Sequence, residues 1–197
     1  MYTSFFVLIR VLFICYNDLE DRKEGTLTMK LVTIHELTET TYQSYVSSFL
    51  HAEEPLSPSS LDVQGQSYEY LVKKLATSKE EAGLIPGHVP SETLFLVADN
   101  GYILGAIHLR YGITEELLRY GGHMSFSIRP EERRKGYAFI MIKLSLNHLR
   151  AQGIFNALVT VNRKNQGAKN TLKKIGGVLE NAYETNGLVI DRYWIKL

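Results

Sequence analysis

Residues 129–139 read RPEERRKGYAF, a stretch that places a run of cations directly before Gly136. After this glycine, small or apolar residues recur at the spacing of one helix face. They are Ala138, Met141, Ile142, Ser145, Leu146 and Leu149. The spacing predicts an amphipathic helix that begins at the glycine and ends near Gly153.

The three residues before the glycine are Arg133, Arg134 and Lys135. The first turn of a helix has unpaired backbone N–H groups and a partial positive charge, which together attract phosphate. A glycine has no Cβ, so a phosphate can approach the backbone there, and the flanking cations add full charges. The stretch therefore suits a diphosphate at the start of the helix. The alternative is a solvated basic turn in front of an ordinary core helix.

On either side of this helix, strand and helix patterns alternate along the chain. Residues 122–128 alternate apolar and polar side chains, as a strand with two different faces does, and Asn100-Gly101 predicts a hairpin with a type I′ turn. The order predicts a mixed α/β fold in which the strands before and after the long helix form a parallel pair. Further strands are predicted at 29–34, 155–161, 177–183 and 188–197, and helices at 35–54, 67–77 and 165–175.

The loop R-x-x-G-x-A, formed by Arg133, Gly136 and Ala138, follows a strand and opens a helix, and the next helix begins NQGAKNTLKKIGG at Asn165. This combination resembles the GNAT (general N-acetyltransferase) superfamily, whose signature is Q/R-x-x-G-x-G/A after the fourth strand. The resemblance covers about residues 29–197, and the tail IGGVLEN…DRYWIKL is similar to a bacterial branch of predicted acetyltransferases. It implies a GNAT-like acyltransferase fold, with a central mixed sheet whose fourth and fifth strands splay apart between flanking helices.

The resemblance also implies acetyl-CoA as co-substrate. In the family, amides of the glycine-containing loop hold its pyrophosphate, and the open edge of the fourth strand, here 124–128, pairs with its pantetheine arm. A backbone N–H near Ser127 or Ile128 would polarise the thioester carbonyl. The residues expected to bind the cofactor are Phe126, Ser127, Ile128, Arg133, Arg134, Lys135, Gly136, Tyr137, Ala138, Asn165 and Ala168. Asn165 matches a family asparagine, and it is also a good N-cap for the helix that follows.

The residues that move protons are less evident. Many members of the family have a tyrosine that protonates the departing thiolate, but Leu172 stands at the matching place in an apolar stripe. Tyr183 or Tyr193 on the last strands is a substitute acid. His123 is a proton relay through water or a satisfied strand histidine. Glu131 and Glu132 adjoin the loop, where exposed turn charges are the simpler interpretation.

The first two helices are crowded with aromatic residues: Tyr42, Tyr45, Phe49, Tyr68 and Tyr70. In the family this region forms the acceptor side, although core packing accounts for most of these rings. Glu53 and Glu54 follow and are suited to attract a cationic amine.

These features predict an N-acetyltransferase that moves an acetyl group from acetyl-CoA to a primary amine of a small molecule or peptide, by direct attack in a ternary complex. A second hypothesis is an acyl-CoA-binding module of the same fold, with a sensor or assembly role and little catalysis, which Leu172 favours. A homodimer is common in the family.

Composition excludes several other classes of protein. The formal net charge is +1, so nucleic-acid binding through one small basic cluster is disfavoured. The six histidines are scattered without metal-ligand spacing, so we expect no metal site. Cys15 is the only cysteine, which precludes an intrachain disulfide and favours a cytoplasmic setting.

The N-terminal residues 1–28 differ from the rest of the chain. Their apolar run FFVLIRVLFIC is interrupted by Arg10 and is too short to span a bilayer, so no membrane association is expected. Codons for Lys23-Glu24-Gly25 can read as a bacterial ribosome-binding site ahead of Met29. We therefore predict a non-native or disordered extension at 1–28 and one domain at 29–197. The alternative is a real hydrophobic segment that docks on the domain or on a membrane.

Overall fold

The computed structural model describes residues 28–80 and 87–197, so nearly all of the predicted extension lies outside the described residues. Its strands are β1 Met29–Val32, β2 Ser91–Ala98, β3 Ile103–Arg110, β4 Met124–Ile128, β5 Asn156–Asn162, β6 Val178–Thr185 and β7 Leu188–Lys196. Its helices are α1 Glu39–His51, α2 Tyr68–Thr77, α3 Glu115–Arg119, α4 Tyr137–Ala151 and α5 Gln166–Lys174. The predicted elements therefore occur in the predicted order.

The strands form two antiparallel sheets, with the orders β1-β2-β3-β4 and β5-β7-β6. This confirms the α/β class and the splayed fourth and fifth strands. The predicted parallel pair does not form a ladder within the described ranges. Instead, β4 and β5 meet at one isolated bridge between Gly122 and Val159.

The strands β4 and β5 separate because the His123 side chain, rather than a backbone carbonyl of β4, accepts the hydrogen bond from a backbone N–H of β5. The backbone N–H of His123 donates to the Leu158 carbonyl at 2.7 Å, but the Leu158 N–H donates to Nδ1 of the His123 ring at 3.0 Å. Gly122 allows this approach, since a Cβ on it would lie 2.3 Å from the Leu158 oxygen. Beyond this point no further ladder bond joins the two strands in the described part of the chain, and a gap opens between them.

The two faces of the first sheet carry different side chains. On one face, α4 covers an apolar layer that includes Met124 and Ile128 of β4. On the other, buried aromatic rings of α1 and buried leucines of α2 pack against the sheet. Ser127 of β4 faces this second side, because its hydroxyl oxygen lies 3.0 Å from the Tyr45 hydroxyl of α1. The polar side of β4 therefore looks toward the first two helices.

The hairpin predicted at Asn100-Gly101 connects β2 to β3, but its turn is not type I′. Only Gly101 has positive φ, at 79°, and the Ala98 N–H donates to the Tyr102 carbonyl across a longer loop. The Asn100 side chain accepts the Tyr102 N–H at 3.0 Å. A left-handed glycine after a type I turn is the usual solution for a loop of this length.

Within the two ranges that the structure covers, no helix is long and apolar enough to cross a membrane. Those residues also contain no group of three or more histidine, cysteine or acidic side chains placed to hold a metal ion.

Candidate active site

A cleft of about 610 Å³ opens where β4 and β5 diverge. All of the residues predicted to bind the cofactor line it, with the exception of Lys135. The first turns of α4 and α5 form one wall, and the segment after α1 forms the other. The further lining residues are Phe49, Glu54, Pro55, Ser57, Glu132, Gly167 and Thr171.

The start of α4 leaves its backbone amides free. Gly136 is the N-cap residue, with φ 88°, and Arg134 is also left-handed, with φ 66°. Positive φ is uncommon for a residue with a side chain. The amides of residues 134–138 donate to no acceptor in the described parts of the chain, and no side chain caps the helix. This end of the helix therefore presents several donors to the cleft.

The three cations of the loop differ in their partners. Arg133 donates to both carboxylate oxygens of Glu54, at 2.7 and 2.6 Å, and its Nε donates to the Ile128 carbonyl at 3.1 Å. The Arg133 hydrogen bonds lower the pKa of Glu54. Lys135 pairs with Glu132 at 2.8 Å. Arg134 is exposed and makes no ion pair within the described ranges, so it is the loop cation left available to a ligand.

The register of β4 shows which of its amides face the cleft. Arg129 donates its backbone N–H to the Leu104 carbonyl of β3. Two residues earlier, Ser127 pairs with Ala106 of β3. Since bonded and non-bonded pairs alternate along an antiparallel ladder, Ile128 directs its backbone groups away from β3. The Ile128 carbonyl accordingly receives Arg133 from the cleft side. Of the two predicted amide donors, the one at Ile128 faces the gap.

Ser127 has a contact that the sequence analysis did not predict. Its hydroxyl donates to the Ser57 carbonyl and lies 3.0 Å from the hydroxyl of Tyr45. The Tyr45 ring is fully buried, and burial raises the pKa of its hydroxyl, which stays neutral. A separation of 82 residues leaves no local signal for this pair.

Arg129, the first residue of the RPEERRKGYAF stretch, is buried and anchors the end of β4. It donates to the Ser44 carbonyl of α1 at 2.6 Å and to Glu131 at 2.8 Å, and it stacks 4.1 Å from the centre of the Tyr102 ring. Glu131 is therefore part of this anchor rather than a free turn charge. The anchor fixes the end of β4 against α1 and so holds the cleft wall in place.

Two residues predicted to move protons do not line the cleft. Burial first, and then the nearby Arg110 charge, lower the pKa of His123, and its Nδ1 is occupied by the Leu158 amide. The Tyr183 hydroxyl lies 3.4 Å from a guanidinium nitrogen of Arg192 on the far sheet. We therefore assign neither a catalytic step. Tyr193, the other substitute acid, is buried in the core.

The cleft wall formed by α5 has the cap and the buried leucine that the sequence predicts. Asn165 caps the helix, because its side-chain oxygen accepts the Ala168 N–H at 3.0 Å. Its side-chain NH₂ donates to no group in the described residues, and the residue lines the cleft. Leu172 is fully buried, as its apolar stripe predicted. The usual position of the general acid is thus part of the core.

The family model for the acetyltransferase (GNAT) family matches residues 45–177. No curated protein matches the chain by sequence. The fold is similar to the ribosomal-protein-S5-alanine acetyltransferase from Vibrio fischeri, with a TM-score of 0.62 and 15% identity over 89% of this chain and 95% of that chain.

Two further structures show the same fold. The yncA protein from Salmonella typhimurium, a structure with its cofactor acetyl-CoA, has a TM-score of 0.59 and 12% identity over 88% of this chain and 95% of that one. Mutant forms of the spermidine/spermine N-acetyltransferase SpeG from Vibrio cholerae have a TM-score of 0.53 and 16% identity over 86% of this chain and 94% of that chain. Since the family model spans most of the chain, this protein belongs to the GNAT family of acetyltransferases.

Proposed function

We propose that this chain is an acetyl-CoA-dependent N-acetyltransferase that acetylates a primary amine of a small molecule or peptide within a ternary complex. One observation carries the proposal. Within the described residues, the amides at the start of α4 have no acceptor and the edge of β4 toward β5 has no ladder partner beyond the isolated bridge, and both open into the same cleft. A ligand with a diphosphate at one end and a thioester at the other matches both features.

The loop before α4 would hold the diphosphate. The amides of residues 134–138 donate to no acceptor in residues 28–80 and 87–197, and Gly136 has no side chain to obstruct an anion. Arg134 adds a full positive charge beside them. Arg133, which is paired with Glu54, would instead keep the loop joined to the segment after α1.

The edge of β4 would hold the thioester. The Ile128 N–H faces the gap, where it can donate to the carbonyl oxygen as negative charge develops on it. A single preorganised donor of this kind contributes a factor of about 10²–10³ to the rate. Acetyl-CoA would supply the activated acetyl group, and the Ile128 N–H would make the carbonyl carbon of that group more electrophilic.

The attacking amine would lie beside Ser57 and Ser127. Ser57 and Ser127 both line the cleft, and the Ser57 carbonyl and the Ser127 hydroxyl have lone pairs that would orient the N–H bonds of the amine. The lone pair of the neutral amine nitrogen forms the new C–N bond, the C–S bond breaks, and sulfur departs as thiolate with the electron pair of the C–S bond. The amine proton passes to water. A thiolate with a pKa near 8.5 leaves readily, which makes Leu172 at the usual acid position tolerable.

The alternative is a binding module that retains the CoA site without turnover. Leu172 favours it, as does the pairing of both carboxylates that line the cleft, Glu54 with Arg133 and Glu132 with Lys135. Neither carboxylate is then a free base for a protonated amine.

Two measurements on the same protein separate these functions. Calorimetric titration with acetyl-CoA tests the site, and thiol release tests turnover against polyamines, amino acids, aminoglycosides and peptide N-termini. We expect binding together with thiol release that depends on the amine. Binding without release on any amine would support the module, and absence of binding would overturn both functions.

A further inference from the structure

Arg110, the last residue of β3, is a largely enclosed cation with weak partners. Its guanidinium lies 3.4 and 3.3 Å from the carbonyls of Gly121 and Gly122, and 3.5 Å from the Ser125 hydroxyl. All three distances are at the long end for N–H···O hydrogen bonds. No carboxylate pairs with it in residues 28–80 and 87–197.

Two buried arginines and the half-buried Arg133 of the described chain each pair with a carboxylate. Arg129 pairs with Glu131 at 2.8 Å, Arg133 with Glu54 at 2.6 Å, and Arg192 with Glu180 at 3.0 Å. Removing a guanidinium from water is costly unless an opposite charge compensates. Burial accordingly lowers the pKa of Arg110. Among these four side chains, Arg110 alone has no carboxylate partner in the described residues.

The surroundings of Arg110 reinforce the positive charge. Burial, followed by the charges of Arg110 and Lys74, lowers the pKa of His108 to about 3. Lys74 donates to a backbone carbonyl, that of Asp62, at 2.7 Å rather than to a carboxylate. The His108 ring is tied through Nδ1 to the Thr93 hydroxyl at 2.9 Å. Two cations therefore act on this patch, and neither pairs with an acidic side chain in the part of the chain that the structure describes.

This patch lies on the same face of β4 as the proposed amine position. Ser125 and Ser127 are two residues apart, so their side chains point the same way at a separation of about 7 Å. Ser127 lines the cleft beside Ile128, while Ser125 contacts Arg110. All three polar side chains, Ser125, Ser127 and Arg110, keep part of their surface exposed.

We propose that Arg110, together with Ser125, binds an anionic group of the acceptor, a carboxylate or a phosphate, while the acceptor amine lies at Ser127. The inference rests on the proposed acetyltransferase function and defines its substrate class. The acceptor is an amine that carries its negative charge several bonds away, at about the 7 Å that separates neighbouring side chains on one strand face. A polyamine lacks such a group.

The test measures kcat/KM by thiol release for ω-amino carboxylates from glycine to 8-aminooctanoate. Each acid is compared with the amino alcohol of equal length, and an aminoalkylphosphonate series separates carboxylate from phosphate recognition. We expect an optimum near 6-aminohexanoate, whose extended chain matches the spacing. The acid should exceed its alcohol by about tenfold to a hundredfold, the range for a charge-assisted hydrogen bond.

Variants of Arg110 show whether this side chain is responsible. In Arg110→Gln the preference for the acid should disappear while activity on the alcohol is retained, and Arg110→Lys should restore part of it. Arg150→Gln, at an exposed arginine bonded to Asn147 on α4, is the matched control. Acetyl-CoA affinity and the melting temperature confirm that each variant is folded.

Each outcome has one meaning. Thiol release without preference for acids, or a preference that survives in Arg110→Gln, overturns the anion site and leaves the acetyltransferase intact. No release with any amine, although acetyl-CoA still binds, overturns the acetyltransferase and this inference with it.

Discussion

The two helices that begin at the cleft satisfy their first-turn amides in opposite ways. Asn165 caps α5 with a hydrogen bond of 3.0 Å to the Ala168 N–H, so that helix end is complete within the protein. At α4 the N-cap is a left-handed glycine without a capping side chain, and the amides of residues 134–138 find no acceptor in the described residues. A cap contributes about 1 kcal/mol of stability. Its omission at α4 keeps these donors available to a ligand.

The largest expected effect comes from placing a negative charge at the uncapped end. Gly136→Glu should lower acetyl-CoA affinity by about a hundredfold or more, because its carboxylate would occupy the position of the diphosphate. Isothermal titration measures the loss. Gly153→Glu, at the other end of the same helix, is the control, since Gly153 also has positive φ, 76°, and open space where a Cβ would lie. Equal affinities in the two variants would remove the proposed site.

The second prediction concerns Glu92, a carboxylate that contacts the C-terminal turn of α4 through the His148 side chain. Glu92 accepts hydrogen bonds from His148 of α4 at 3.2 Å and from Tyr111 at 2.5 Å, and it pairs with Lys79 at 2.6 Å. Burial alone would raise the pKa of Glu92, but hydrogen bonds from His148, Lys79 and Tyr111 lower it from 4.5 to about 2. Glu92→Gln should lower the free energy of unfolding at pH 7 by on the order of 2 kcal/mol.

The sign of its pH dependence follows from that pKa. The folded-state pKa of Glu92 lies below the unfolded value, so its contribution is complete above about pH 5 and is lost as pH falls toward 2. Urea unfolding across this range should show the wild type and Glu92→Gln converging in acid. A difference that is independent of pH would contradict the assignment, and at pH 7 the variant should bind acetyl-CoA as tightly as the wild type does.

The third prediction removes the cap of α5. Asn165→Ala should cost about 1 kcal/mol of folding stability, whereas Asn165→Ser should keep most of it because serine also caps. Thermal unfolding compares the two variants. Both lack the side-chain NH₂, so an equal loss of acetyl-CoA affinity in both would assign that NH₂ to the ligand. Equal stability of the two would refute the cap as the source of the effect.

The smallest expected effect distinguishes the loop cations. Arg134→Gln should weaken acetyl-CoA binding by about fivefold at low ionic strength, with less effect in high salt, because its charge is exposed and makes no ion pair with the described residues. Lys135→Gln should change affinity less, since Lys135 is paired with Glu132 and lies outside the cleft lining. Titrations at two salt concentrations provide the comparison, and a larger loss in Lys135→Gln would reverse it.

The sequence predicted the loop before α4 and most of the residues that line the cleft because their signals are local, and phosphate binding by this loop stays a prediction. A glycine in the first turn, adjacent cations and the apolar stripe of α4 all lie within about 25 residues, and the strand before them alternates visibly. The same holds for the Asn165 cap and for Leu172 in the core. The sequence did not identify the general acid or the general base. His123 and Tyr183 have chemically suitable groups, but only the fold determines what surrounds each of them.

Local pattern thus decided the elements, their ends and the uncapped start of α4, because helix and strand periodicity and capping depend on neighbours in the chain. Tertiary structure alone decided what faces the cleft. The Arg133–Glu54 pair joins residues 79 apart, and the Tyr45–Ser127 contact joins residues 82 apart. It also decided that Arg110 has weak partners while other enclosed arginines are paired. Charge compensation and burial depend on which distant segments meet, and no short stretch of sequence contains that information.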